Sequence, residues 1–281
     1  MISRRSIALS PLAFLVPHAA WATEGETALP LDMTGRRPRV MVAIPGGETE
    51  AWVVDTGAGG SVIDVERARR WGLPQLEPIE VGSPAGGTPV RGFRTTIAGA
   101  RVGDTTLPDF DAAAIPQMIQ NADHAGVISP NIFSGRLVVF EFARSLMRIT
   151  DRAHAPGAQS TSYTSERPLP VMPVRVGEQR FDAHMDTGAP HLISFPYAFA
   201  ASLPLAGPPV QTGTVRFVDG ARPRYSAQLR GAVQIGPLTL TDPEIALIDG
   251  LPVVNVGTAA LRQLTVTLDP ERRVSWATLP A

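Results

Sequence analysis

The tetrapeptide Asp-Thr-Gly-Ala occurs twice, at residues 55–58 and 186–189, and each copy ends a short apolar run. The likeness reaches well beyond the tetrapeptide. Residues 40–58 align with residues 171–189 at an offset of 131, without a gap over 19 positions, seven of them identical. Two further matches follow in the same order: residues 102–107 with 235–240 at an offset of 133, and residues 138–141 with 266–269 at an offset of 128. Three ordered matches with small changes of offset indicate one unit written twice, with loop insertions. Two copies are too few for a solenoid, so paired lobes are expected.

Within each copy the pattern is β. Val-rich runs at 40–44 and 51–54 flank Pro45-Gly46-Gly47, and runs at 171–176 and 181–185 flank Gly177-Glu178; both read as hairpins. The 26 Gly and 27 Pro of the 281 residues favour turns and short strands over long helices. Helical pattern is confined to residues 65–71, with Asp64 as N-cap and Gly72 as stop, and to the counterpart 195–203 behind Ser194. Residues 152–170, rich in Ser, Thr, Pro and Ala, read as the linker between a first lobe at 40–151 and a second at 171–281. Residues 23–39 form an N-terminal segment, of which residues 23–37 could be a short pro-segment.

Composition excludes several functions. All 25 basic residues are Arg against 26 acidic ones, and a net charge of −1 offers no footprint for nucleic acid. The chain has no Cys, which removes disulfides, thiol nucleophiles and Cys-ligated zinc. Residues 1–22 read as an export signal: Arg4 and Arg5, an apolar stretch from Ile7 to Val16, and an Ala20-Trp21-Ala22 cleavage site. Ser3-Arg4-Arg5-Ser6-Ile7 fits a twin-arginine signal and equally a plain secretory one carrying two arginines. The stretch falls short of the ~20 apolar residues of a membrane span. The expected product is an exported chain, periplasmic or secreted, with no membrane anchor after processing.

A single Asp-Thr-Gly is a weak signal, since at average residue usage a given tripeptide arises by chance in about one chain in ten of this length. Two copies behind matching strands of a duplication are a strong one. The structural role open to such an aspartate is to cap its turn while Gly takes a positive φ, as expected of Asp104, Asp219 and Asp249. The functional role follows from symmetry: a two-fold relation would bring Asp55 and Asp186 face to face between the lobes. Two carboxylates that close share a proton and titrate as a pair. One is then a base and the other an acid at one pH, able to activate a water on a carbonyl and protonate the leaving group. Thr56 and Thr187 would bond across the interface, and Gly57 and Gly188 would let backbone N–H groups approach the carboxylates.

These residues resemble those of the pepsin and retropepsin superfamily of aspartic peptidases, particularly its bacterial single-chain retropepsin-like members, over residues 38–276. The resemblance implies an all-β fold of two pseudo-two-fold-related lobes with an interlobe cleft, of the acid-protease closed-barrel type. It implies catalytic Asp55 and Asp186, supported by Thr56, Gly57, Ala58, Thr187, Gly188 and Ala189. It implies no metal and no organic cofactor, an extended polypeptide as substrate, and a monomer, because one chain carries both aspartates. The family places an apolar-apolar-Gly motif downstream of each Asp-Thr-Gly; here Val127-Ile128-Ser129 and Asn255-Val256-Gly257 both depart from it. Those departures keep open a catalytically silent peptide-binding protein on the same fold. The Ala after each Asp-Thr-Gly implies fewer hydrogen bonds to the carboxylates than pepsin-like Ser or Thr would make. The family's flap corresponds to residues 80–96, and residues 212–229 are its second-copy equivalent; either could equally be a surface hairpin. His184 and His191 could form a metal pair, although a strand histidine two residues before Asp186 is more often a packed residue.

Overall fold

Alternation of Val with polar residues makes residues 39–54 a hairpin. Strands Arg39–Ala43 and Thr49–Val54 pair antiparallel around Pro45-Gly46-Gly47 and bury Val40, Val42, Trp52 and Val54 on one side. The computed structural model describes residues 25–82, 87–116, 124–151, 160–164, 168–218 and 220–280, so the expected export signal lies outside the described residues. The fold is all-β, with two lobe sheets and a third sheet shared between them.

The first lobe sheet has nine strands, in the order Pro78–Val81, Val90–Ile97, Phe110–Ile115, Ser61–Asp64, Gly126–Ile128, Thr49–Val54, Arg39–Ala43, Arg101–Val102, Thr105–Thr106. The second repeats that order with nine strands of its own: Val210–Phe217, Gly220–Gln228, Glu244–Ile248, Ile193–Pro196, Asn255–Gly257, Gln179–Asp186, Val171–Val176, Ala232–Ile235, Leu238–Thr241. Every strand of one lobe therefore has its counterpart in the other, so the duplication holds for strand order and pairing as well as for sequence.

The six-stranded shared sheet carries the symmetry axis. Its central strands, Leu137–Glu141 and Thr265–Asp269, pair antiparallel with Val139 opposite Thr267. These two residues are also counterparts in the duplication at the offset of 128. A two-fold axis between antiparallel strands maps a residue onto its own register partner, and this pair meets that condition. Val138, Phe140, Val266 and Leu268 are buried here, in an apolar core that continues into both lobes.

Two expectations are corrected. Residues 27–30 are an outer strand of the shared sheet, paired with Leu146–Thr150, and Leu29 and Leu31 are buried. The segment therefore contributes a strand to the shared sheet. Arg262 Nη2 donates to the carbonyls of Met33 (3.1 Å) and Gly35 (2.5 Å), which ties these residues to the second lobe, and Asp32 pairs with Arg39 at 2.6 Å within the segment. The helix expected at 195–203 is a 3-10 turn at Tyr197–Phe199. Ser194 sits in a central strand between Asn255 and Ala246 and so cannot cap a helix, and Phe195 is a buried strand residue. The first helix, Val65–Arg70, has the expected cap: Asp64 accepts from the N–H groups of Glu66 and Arg67, both at 3.1 Å. Within the expected linker the described residues include Thr161–Ser162, which pairs with Val274–Thr278.

Candidate active site

Each Asp-Thr-Gly leaves a central strand and turns at the lobe interface. Strand Thr49–Val54 pairs parallel with Gly126–Ile128, and the Asp55 N–H donates to the Ile128 carbonyl at 2.9 Å. Strand Gln179–Asp186 pairs parallel with Asn255–Gly257, with Asp186 in register with Gly257. Strands on both sides fix the direction in which each aspartate leaves the sheet.

The two turns lock through a reciprocal exchange. The Thr56 N–H donates to Thr187 Oγ1 and the Thr187 N–H to Thr56 Oγ1, both at 3.0 Å. Thr56 Oγ1 donates to the Met185 carbonyl and Thr187 Oγ1 to the Val54 carbonyl, both at 2.6 Å. Both threonines are buried, so each bond is protected from water. Thr187→Val keeps the shape but leaves the Val54 carbonyl and the Thr56 N–H unpartnered, each costing roughly 1–3 kcal/mol. Denaturant unfolding of Thr187→Val should therefore show a loss of at least ~2 kcal/mol with an unchanged m-value.

The exchange brings each carboxylate onto the other lobe's glycine. A Cβ built on Gly57 would lie 2.6 Å from Asp186 Oδ1, and one built on Gly188 would lie 2.5 Å from Asp55 Cγ. No side chain fits at either position. Within its own turn, Asp55 Oδ1 accepts from the Gly57 N–H at 2.7 Å, and Asp186 Oδ1 from the Ala189 N–H at 3.0 Å. Ala58 closes its turn by donating its N–H to the Asp55 carbonyl at 3.3 Å, as Ala189 does to the Asp186 carbonyl at 3.2 Å. Both aspartates are half-buried and so remain reachable by solvent.

Burial raises both carboxyl groups above the ordinary value of 3.8, and the pair divides from there. The Asp55 charge raises Asp186 further, while the Gly57 N–H, the nearby Arg37 guanidinium and the Asp186 hydroxyl favour ionised Asp55. The two carboxyls titrate as a pair, with the Asp55 charge opposing ionisation of Asp186.

Two residues that depart from the family motif acquire roles here. Ser129 Oγ donates to the Ala58 carbonyl at 2.7 Å; in the second lobe the Thr258 N–H meets the matching Ala189 carbonyl, also at 2.7 Å. The Ser129 hydroxyl thus supplies a support that backbone supplies in the other copy. Gly257 keeps its glycine because a Cβ there would lie 2.7 Å from the Ala189 carbonyl oxygen. Asn255, at the position of Val127 in the first copy, donates from Nδ2 to Asp186 Oδ2 at 2.9 Å. It offsets part of the hydrogen bonding lost through Ala189. A polar residue in an apolar strand position was the sequence signal that could have found it.

His184 lies in register with Asn255, and His191 follows the Asp186 turn. Burial and the charges of Arg224 and Arg36 push His191 below the usual imidazole value. Among the described residues no group of three or more His, Asp and Glu is arranged to hold a metal ion. Both expected hairpins form, at Pro78–Val81 with Val90–Ile97 and at Val210–Phe217 with Gly220–Gln228; residues 83–86 of the first tip lie outside the described residues. At the turn of the second hairpin, Val218 packs on the cluster of Ile79, Ala113 and Ile115 in the first lobe, so this hairpin bridges the lobes.

A family model described as aspartyl protease matches residues 40–130 and 172–265, one stretch in each lobe and together more than half of the chain. No curated protein matches the chain.

Proposed function

Since this chain belongs to the aspartyl protease family, we propose that it is an endopeptidase in which Asp55 and Asp186 activate one water molecule between them. The observation that carries this reading is the reciprocal packing of each carboxylate over the other lobe's glycine. Ionised Asp55 takes a proton as the water oxygen attacks the scissile carbonyl carbon. Protonated Asp186 donates to the carbonyl oxygen, giving a tetrahedral diol. Asp55 then returns its proton to the amide nitrogen, the C–N bond breaks, and Asp186 recovers the proton of the collapsing hydroxyl. The pair ends with one proton, as it began.

The substrate is an unfolded polypeptide segment, bound extended so that its main chain can pair with hairpin and cleft edges. One chain supplies both carboxylates, so catalysis needs no second copy. Residues 1–22 would deliver the chain outside the cytoplasm, periplasmic or secreted.

The test is to incubate the chain lacking residues 1–22 with an unfolded polypeptide across pH. Activity should fall on the acid side as Asp55 gains a proton. It should fall on the alkaline side as Asp186 loses one, and this limb should lie well above 3.8 because burial and the Asp55 charge both oppose that loss. Binding of the polypeptide without cleavage at any pH would instead make the chain a peptide-recognition protein.

A further inference from the structure

Beside the pair, the two lobes differ in one row of side chains. Residues in register across a sheet share a face, and so do residues two apart on a strand. On the face of Asp55 that row is Val53, Val127 and Val62, each in register with the next. On the face of Asp186 the same places hold His184, Asn255 and Ser194. Strands on both sides fix the backbone of Asn255. Gly257, two residues on, lies in register with Asp186, so the carboxamide shares the face of that carboxyl group.

The difference reaches the carboxylates. Asp55 Oδ1 accepts from the Gly57 N–H at 2.7 Å, and Val127 has no donor to add. Asp186 accepts from the Ala189 N–H at Oδ1 (3.0 Å) and, in addition, from Asn255 Nδ2 at Oδ2 (2.9 Å). Ala58 and Ala189 carry no hydroxyl that could even out the two sides. An amide nitrogen can only donate. A carbonyl or carboxylate oxygen accepts better than a hydroxyl oxygen does, so this bond keeps Oδ2 free of the proton and leaves Oδ1 to carry it. Oδ1 retains a lone pair for the Ala189 N–H. The Asn255 Oδ1 atom is buried without a hydrogen-bond partner. A valine here, as in the first lobe, would avoid that cost, so the bond to Asp186 is what distinguishes asparagine at this position.

We propose that Asn255 is a positioning residue for the acid step: its carboxamide holds Asp186 Oδ2 as an acceptor, leaves the proton to Oδ1, and eases release of that proton to the substrate carbonyl. Burial and the Asp55 charge both hold the proton on Asp186. A donor to the ionised carboxylate works against both, and a general acid is most effective when its acidity lies near the working pH. The other titratable and charged groups around the pair are Asp55, His184 on the strand of Asp186, His191 past the turn, and Arg37, whose charge acts on Asp55. The acid step rests on the hydrolase reading; the hydrogen bond and its effect on proton binding do not.

The test is Asn255→Val, which copies the first lobe, with Asn255→Ala as a second variant that cannot overfill the site. Proton binding at Asp186 is followed by carbon-13 NMR of the aspartate carboxyl carbons, its signal assigned by absence in Asp186→Asn. Cleavage of an unfolded polypeptide is followed over the same pH range. In both variants the Asp186 titration is expected to move up by about one pH unit, and the alkaline limb of activity with it, because the ionised carboxylate loses a charge-assisted hydrogen bond. An unchanged titration would overturn the inference, even with a lowered unfolding midpoint, since Asn255 would then serve the fold alone. A downward shift would overturn it too, because the carboxamide oxygen would then be the atom that faces Asp186. The upward shift in a chain that cleaves nothing would support the inference and defeat the hydrolase reading.

Discussion

In Asp55→Asn and in Asp186→Asn, hydrolysis of an unfolded polypeptide is expected to fall by about 10²–10⁴-fold, the usual worth of a positioned acid or base. The two losses should not add in the double variant, because either substitution removes the shared proton that defines the pair. Stability should move the other way. Both carboxyls titrate above 3.8 in the fold because burial penalises their charge. The folded chain therefore holds more protons than the unfolded chain as pH rises past 3.8, and unfolding free energy falls with pH over that window. At neutral pH the Asp186 carboxyl must take up a proton on folding and an asparagine need not, so the unfolding midpoint of Asp186→Asn at neutral pH should exceed that of the parent, and its stability should depend less on pH. A variant that is inactive and also less stable at neutral pH would show that the pair carries structural weight instead.

Gly188→Ala is the second large effect. Its methyl group would lie 2.5 Å from Asp55 Cγ and 2.7 Å from Oδ1, with the Thr56–Thr187 exchange preventing the turn from backing away. The carboxylate must move. Overpacking of this kind costs roughly 1–3 kcal/mol, and a displacement of ~1 Å in a catalytic group can cost ~10²-fold in rate. Gly207→Ala is the control, because a Cβ there meets nothing within 4 Å. Unfolding curves and turnover measured side by side should separate the two: both quantities drop in Gly188→Ala and neither changes materially in Gly207→Ala.

Much of this was legible in the chain because it is periodic or local. Strand alternation, turn glycines, the Asp64 cap and the offset of 131 are all read over a few neighbouring residues, and the offset reappears as the Thr56–Thr187 exchange. The local reading failed at residues 195–203, where a run suited to a helix stays extended because Ser194 and Phe195 complete the centre of a sheet. It failed also at residues 27–30, where a short segment with little pattern becomes an edge strand through burial of Leu29 against distant partners. In both cases pairing partners far along the chain outweighed local preference.

By itself the sequence determined that there are two like units, that each ends a strand in Asp-Thr-Gly-Ala, and that the chain has no thiol chemistry. Only the tertiary structure decided that Ser129 replaces a backbone donor, that Asn255 reaches Asp186, and that Arg91 and Arg94 are held in ion pairs with Glu80, Glu77 and Asp111. The reason is the range of the forces involved. Strand and turn preference act within a few residues, whereas hydrogen bonding and charge depend on distances in space that sheet register sets between residues 69 to 71 apart, as in the Asn255–Asp186 and Ser129–Ala58 bonds.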